Sequence, residues 1–157
     1  MSFFPNIAEA QAGMYVADGD GGTTSVDGSN WAKETSVTQL HGPIRNFTMP
    51  ANNRLTYSGL LPQWFHVNVS VSADCNSNGE LVRIGLSKNG NDPEPSLSID
   101  KTFASSSNHY ALAFKSMIFL EEDDYVEVFV KSDSATDITV DHFLVFLLET
   151  QEVVPLV

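Results

Sequence analysis

Apolar and polar residues alternate along much of this chain. Between Gln63 and Ala73 every second residue from Phe65 onward is apolar, and most residues between them are polar. Successive side chains of a β-strand point to opposite faces, so this alternation predicts an antiparallel strand with one face in a core. The same pattern predicts shorter strands at residues 13–17, 46–49, 54–58, 81–88, 97–103 and 125–131.

Two segments are apolar on both faces. Residues Phe143–Leu148 are six consecutive apolar residues, and Tyr110–Leu120 places apolar side chains at both odd and even positions of its first half. Both faces of such a strand favour burial. One face can enter the core of the domain, and the other needs a cover. A second copy of the same chain is the simplest supplier of that cover.

The pattern as a whole predicts an all-β fold. No segment has a sustained 3.6-residue period, and short strands recur with turn residues between them. This organisation is typical of a β-sandwich or barrel, and about eight to ten strands suit a jelly roll. We therefore predict an antiparallel β-sandwich of the jelly-roll type at residues 13–149, with an N-terminal arm at 1–12 and a C-terminal tail at 150–157.

Charge narrows the range of partners. The chain has 157 residues, 20 Asp and Glu against 8 Lys and Arg, and a net charge of −12. Nucleic acids and anionic membranes need clustered basic residues, so we expect neither as a partner. Identical acidic chains repel one another, so self-association has to be driven by apolar area.

The sequence offers little sign of secretion or membrane insertion. Cys75 is the one cysteine, so no intramolecular disulfide forms, and its polar surroundings predict an unreactive thiol in a turn. The N-terminus lacks the basic and apolar regions of a signal peptide, and no apolar run approaches the roughly 18 residues of a membrane span.

Two acidic segments are candidates for chemistry. Glu121–Asp124 are four adjacent carboxylates, which do not converge on one reacting atom, so a plain turn is the preferred interpretation. The segment Asp18–Asp20 opens like a calcium loop, but position 12 of that loop is Ser29 instead of glutamate. Cation binding at either segment stays open.

Catalytic motifs are missing from the sequence. It contains neither a Gly-x-Ser-x-Gly elbow nor a phosphate-binding glycine loop. The four histidines, His41, His66, His109 and His142, lack the spacing of metal ligands, although distant residues can still converge. We therefore expect no catalytic residue, no cofactor and no metal.

Five segments in this order carry a family resemblance: Gly13–Val16, Asn53–Gly59, Arg83–Gly90, Asp124–Val130 and Thr136–Val140. With them the chain resembles, over residues 13–149, the trimeric jelly rolls of the tumour necrosis factor (TNF) and C1q-like superfamily. It is most similar to the variants in bacteriophage and other viral structural proteins. The resemblance implies a non-enzymatic homotrimer that binds other macromolecules.

In such trimers one sheet of each sandwich faces the three-fold axis. The resemblance therefore assigns the strands that are apolar on both faces, and the start of the long strand, to the trimer interface. The residues expected there are Trp64, His66, Tyr110, Leu112, Phe114, Phe143, Val145, Phe146 and Leu148.

The function expected from this resemblance is that of a capsid decoration or cement protein. Such a trimer binds the major capsid protein, stabilises the head and resides on the virion surface after synthesis in the host cytoplasm. The alternative is the receptor- or glycan-binding tip of a phage fibre, with Trp31 or Trp64 displayed to a host surface. Apolar residues of the arm and tail are the expected capsid-docking segments: Phe3, Phe4, Pro5, Ile7, Val153, Val154 and Leu156.

Overall fold

A computed structural model describes residues 9–150 of the chain. Twelve strands of this part form two antiparallel sheets of six strands each. Sheet I contains β1 (Gln11–Val16), β2 (Gly22–Asp27), β4 (Thr38–Arg45), β7 (Gln63–Cys75), β10 (Tyr110–Leu120) and β12 (Ala135–Glu149). Sheet II contains β3 (Ala32–Lys33), β5 (Phe47–Ala51), β6 (Arg54–Tyr57), β8 (Glu80–Lys88), β9 (Ser98–Phe103) and β11 (Tyr125–Ser132).

The strand order places the most apolar strand at the centre of sheet I. That order is β4–β1–β12–β7–β10, and β2 pairs with the first half of β12. Sheet II has the order β5–β6–β11–β8–β9, and β3 pairs with β11. A single 3₁₀ turn, Pro95–Leu97, precedes β9. The prediction of an all-β antiparallel sandwich is confirmed.

The core lies between the two sheets. Alternate residues of β7 and β12 enter it from sheet I and alternate residues of β8 and β11 enter it from sheet II. An aromatic cluster joins the layers, with the ring centroids of Phe47, Tyr57 and Phe65 5.1–5.3 Å apart. These distances suit edge-to-face and tilted aromatic packing.

Three details differ from the sequence-based expectation. Strands β2 and β4 were not predicted, and β1 begins at Gln11, two residues before the expected start of the domain. Cys75 is the last residue of β7 and is fully buried on the core face, so it is a core thiol and not a turn thiol. Burial raises the pKa of this thiol, which disfavours the reactive thiolate.

On sheet II, the same chain covers the outward side of the central strand β11. Glu127 and Phe129 point away from the core and are nevertheless buried. Phe129 lies opposite Lys33 of the short strand β3. The Glu127 carboxylate accepts bonds from Lys33 Nζ at 2.6 Å and Arg54 Nε at 2.8 Å. The outward side of β11, on which Glu127 and Phe129 lie, is therefore covered by segments of the same chain.

No helix of residues 9–150 is long and apolar enough to cross a membrane.

Candidate functional site: the outer face of sheet I

Within residues 9–150 no segment provides such a cover for the outward side of sheet I at the end where β7 begins, and this part of the sheet is called here the outer face. Strand pairing fixes its residues, because Trp64 lies opposite Phe119, His66 opposite Met117, and Asn68 opposite Lys115. On the other side of β7, His66 lies opposite Leu148 and Ser70 opposite Leu144. The face thus contains Tyr15, Trp64, His66, Asn68, Ser70, Ala111, Ala113, Lys115, Met117, Phe119, Leu144, Phe146 and Leu148.

Large apolar side chains are exposed on this face. Trp64 is 49% exposed and Met117 is 45% exposed. The Trp64 ring packs on Phe119 across the strands, with centroids 5.3 Å apart. Phe146 lies opposite Gly13. A Cβ atom added to Gly13 would be 3.3 Å from the Phe146 ring, so the glycine allows this ring to lie close to the sheet. Exposed apolar groups side by side mark an interaction surface.

The charge of the outer face sets it apart from the rest of the chain. None of these thirteen positions is Asp or Glu, although the chain has 20 such residues and a net charge of −12; Asp74 and Asp137 lie on the same side of the sheet but at its other end. Lys115 adds one positive charge near the centre. Copies of the chain can therefore meet at this face without bringing carboxylates directly together.

The outer face is also concave in places. A depression of about 350 Å³ lies between β7, β10 and β12 and is lined by Ser70, Phe114, Lys115 and Leu144 among others. A second depression of about 640 Å³, lined by Tyr15, His41, His142 and Leu144, lies over β1 and β12. These depressions are open to solvent, which suits contact with a protein surface better than enclosure of a small molecule.

The predicted interface residues divide between two faces. Trp64, His66, Phe146 and Leu148 lie on the outer face. Leu112, Phe143 and Val145 are at most 4% exposed, and they lie in the core with half-buried Tyr110 and Phe114 packed against it. These five are corrected from interface to core residues, because alternate residues of one strand cannot share a face. Sequence reasoning missed Met117, Phe119 and Leu144, because only the register of β10 and β12 against β7 shows which face they occupy.

The acidic turn is held by its own chain. Asp124 Oδ2 accepts the Glu121 N–H at 2.8 Å and pairs with Lys88 Nζ at 2.7 Å, while Oδ1 accepts Asn89 Nδ2 at 2.6 Å. These bonds close the turn between β10 and β11. They agree with the interpretation of Glu121–Asp124 as a structural turn.

One cluster of chemically active groups was not foreseen. Asp74, His109 and Asp141 are far apart in sequence, yet one ligand atom of each lies within 4.8 Å of the others. His109 Nδ1 is 2.6 Å from Asp141 Oδ2 and 3.6 Å from Asp74 Oδ2. The hydrogen bond to Asp141, and the negative charge of both carboxylates, raise the pKa of His109. Only strand pairing reveals this proximity, so no sequence spacing could have indicated it.

The residues expected to dock on a capsid are Phe3, Phe4, Pro5, Ile7, Val153, Val154 and Leu156, and all lie outside the described residues. The described ends nevertheless meet. Glu149 N donates to Ala10 O at 2.9 Å, and Thr150 N donates to Trp64 O at 2.9 Å. Ala10 and Thr150 therefore lie at the same end of sheet I.

Comparison with known proteins identifies the fold. No family model matches the sequence, and no curated protein matches it significantly. The structure aligns with that of Eiger TNF from S. frugiperda at a TM-score of 0.65 and 12% identity, covering 92% of this chain and 94% of that chain. It aligns with murine APRIL at pH 5.0 at a TM-score of 0.57 and 12% identity, covering 88% and 98% of the two chains. The chain therefore has a TNF-like jelly-roll fold.

Proposed function

We propose that this chain is a non-enzymatic binding module that assembles as a homotrimer through the outer face of sheet I. The observation that carries the proposal is the contrast between the two sheets. On sheet II, the outward side of the central strand β11 is closed by β3 and by ion pairs at Glu127. The thirteen residues of the outer face include no carboxylate, Trp64 and Met117 among them are exposed, and no segment of residues 9–150 covers them.

The size of the outer face fits such an assembly. Five adjacent strands at about 4.8 Å spacing, over about seven residues of 3.3 Å each, give a projected area of about 550 Å². Stable interfaces bury about 800 Å² per partner, and side-chain relief makes the accessible area larger than the projection. Three copies around an axis, rather than two, are implied by the resemblance to trimeric jelly rolls and supported by the TNF-like fold.

A single substitution on the outer face tests the proposed self-association directly. Phe146→Asp places a carboxylate on the outer face, where each copy would bring a like charge to the axis and would bury it without a partner. We expect a folded monomer by sedimentation velocity and circular dichroism. Phe129→Asp is not a suitable control because that side chain is buried, but Val37→Asp alters a side chain that is 49% exposed outside sheet I. A trimer in both variants would contradict the proposed face.

For the partner, we propose a capsid surface, so that the trimer serves as a decoration protein. The support is that Ala10 and Thr150, which adjoin the apolar arm and tail in sequence, lie together beside Trp64. A trimer would then bring three copies of each sequence to the same end of the assembly. Deleting residues 2–8 and 151–157 should abolish binding to particles that lack the protein while leaving the trimer intact. Unchanged binding in a co-sedimentation assay would refute the docking role.

A receptor- or glycan-binding tip is the second candidate. The observation that favours it is a depression of about 440 Å³ that combines Trp31, Pro93 and Pro95 with the charged groups Arg83 and Asp100. An aromatic platform beside polar groups is suited to a saccharide. Glycan-array binding that is lost in Trp31→Ala, and kept after deletion of the arm and tail, would favour this function over capsid decoration.

A further inference from the structure

The cluster of Asp74, His109 and Asp141 is built by three adjacent strands. Asp74 lies near the end of β7, His109 directly precedes β10, and Asp141 belongs to β12. Pairing brings them level, because Tyr110 and Val140 both lie opposite Ala73, one residue before Asp74. The three side chains therefore form a row across one end of sheet I.

A β-bulge explains how Asp141 joins the row. On β12, Val140 lies opposite Ala73 and His142 lies opposite Ser72, so Asp141 is an extra residue without a partner on β7. A bulge of this kind redirects one side chain, and bulges are common beside functional sites. Here it brings Asp141 Oδ2 to 2.6 Å from His109 Nδ1, and Ser72 Oγ donates to the same oxygen at 3.4 Å.

The net charge of the cluster is negative even when His109 is protonated. A protonated His109 carries one positive charge between the two carboxylates of Asp74 and Asp141, so the sum is negative. The net charge of the whole chain, −12, adds to the attraction for cations. A divalent cation that replaces the imidazole proton would neutralise both carboxylates.

We propose that Asp74, His109 and Asp141 form a binding site for a late first-row divalent cation of the zinc class. Zinc binds imidazole nitrogen and carboxylate oxygen at about 2.0–2.2 Å, which places tetrahedral ligand atoms about 3.4 Å apart. The observed separations of 2.6 and 3.6 Å, within a group spanning at most 4.8 Å, bracket this value.

The ligand set selects the class of metal. Calcium and magnesium prefer all-oxygen sites, whereas an imidazole ligand favours zinc, nickel and copper. Three protein ligands leave the remaining coordination positions to water, and the 60% exposed side chain of His109 gives solvent access. The site lies at the end of sheet I opposite Trp64 and uses none of the thirteen outer-face residues named above.

The test is calorimetric titration of the full chain with Zn²⁺ after removal of metals by a chelator. We expect saturable binding of one ion per chain. His109→Gln and Asp141→Asn should each weaken binding at least about 10-fold, since even loss of a residue that only supports a ligand costs 10–100-fold. His66→Gln is the matched control, because His66 is an exposed histidine at the other end of β7.

Titration with Co²⁺ gives a second readout, since its visible absorption reports ligand number and should change in both ligand variants. Circular dichroism of each variant verifies the fold. If His109→Gln fails to fold, the Zn²⁺ affinity of Asp141→Asn decides the test. The proposal is overturned if the native chain shows no saturable Zn²⁺ binding, or if the two ligand variants bind like His66→Gln. Preference for Ca²⁺ over Zn²⁺ would overturn the assigned metal class.

Discussion

Trp64→Ser should weaken self-association far more than it weakens the fold. Trp64 is 49% exposed in the single chain. A tryptophan side chain presents up to about 250 Å², so complete burial of the exposed half in a trimer removes about 120 Å² from water. At about 25 cal/mol per Å² this contributes about 3 kcal/mol per subunit.

Three copies of Trp64 raise this contribution to about 9 kcal/mol per trimer. Since 1.4 kcal/mol is a tenfold change, the trimer dissociation constant should rise by about six powers of ten. The concentration at half-assembly varies with the square root of that constant, so it should rise by about three powers of ten. Serine cannot restore the lost apolar area.

Analytical ultracentrifugation over a dilution series measures this shift. Leu60→Ser is the matched control, because Leu60 is 79% exposed but lies in the loop between β6 and β7, outside sheet I. The variant Trp64→Ser should dissociate at concentrations where Leu60→Ser stays assembled. If the two variants and the native chain assemble at the same concentration, the assignment of the outer face to the interface is refuted.

Three further predictions concern the stability of the subunit. Phe65→Ala removes a fully buried ring from the centre of the aromatic cluster. It should lower the free energy of unfolding, measured in urea, by about 3–5 kcal/mol. Asn53→Ala should cost about 2–4 kcal/mol, because the buried amide bonds Glu34 O, Val128 O and Val128 N at 2.8–2.9 Å and those groups lose their partner. Asn53→Gly should cost less than Asn53→Ala, since Asn53 has φ of 53° and glycine adopts that region freely. Glu34→Gln should become more favourable relative to the native chain as pH rises from 4, because burial raises the pKa of Glu34 and the folded state therefore loses stability once this carboxyl ionises.

Each of these predictions has a contrary outcome. If Phe65→Ala lowered the free energy of unfolding no more than a surface substitution does, the aromatic cluster would not be part of a tightly packed core. If Asn53→Gly and Asn53→Ala were equally stable, the positive φ of Asn53 would not contribute to the effect of replacing it. A constant difference in unfolding free energy between Glu34→Gln and the native chain from pH 4 to 8 would show that Glu34 has no raised pKa.

The strands that the sequence predicts best are those whose two faces have different environments. β7 has the core on one side and solvent on the other in the single chain, so period 2 is clear between Phe65 and Ala73. β4 was missed because it is an edge strand that contains Gly42 and Pro43 and exposes most of its residues. Pro is tolerated at a sheet edge, yet it counts against a strand when only the sequence is read.

The candidate site was predicted in part. The run from Phe143 to Leu148 showed that both faces of β12 are apolar, but it could not show which face the subunit itself buries. That choice follows from register, because Val145 lies opposite core-facing Val69 and Leu144 lies opposite Ser70. Asp74, His109 and Asp141 escaped notice for the same reason, since three strands and a bulge determine their proximity.

Sedimentation velocity of the full chain at micromolar concentration tests the central claim most directly. We expect a single species with three times the mass of the 17.2 kDa chain. A monomer at that concentration would contradict the claim that the outer face of sheet I serves homotrimer assembly.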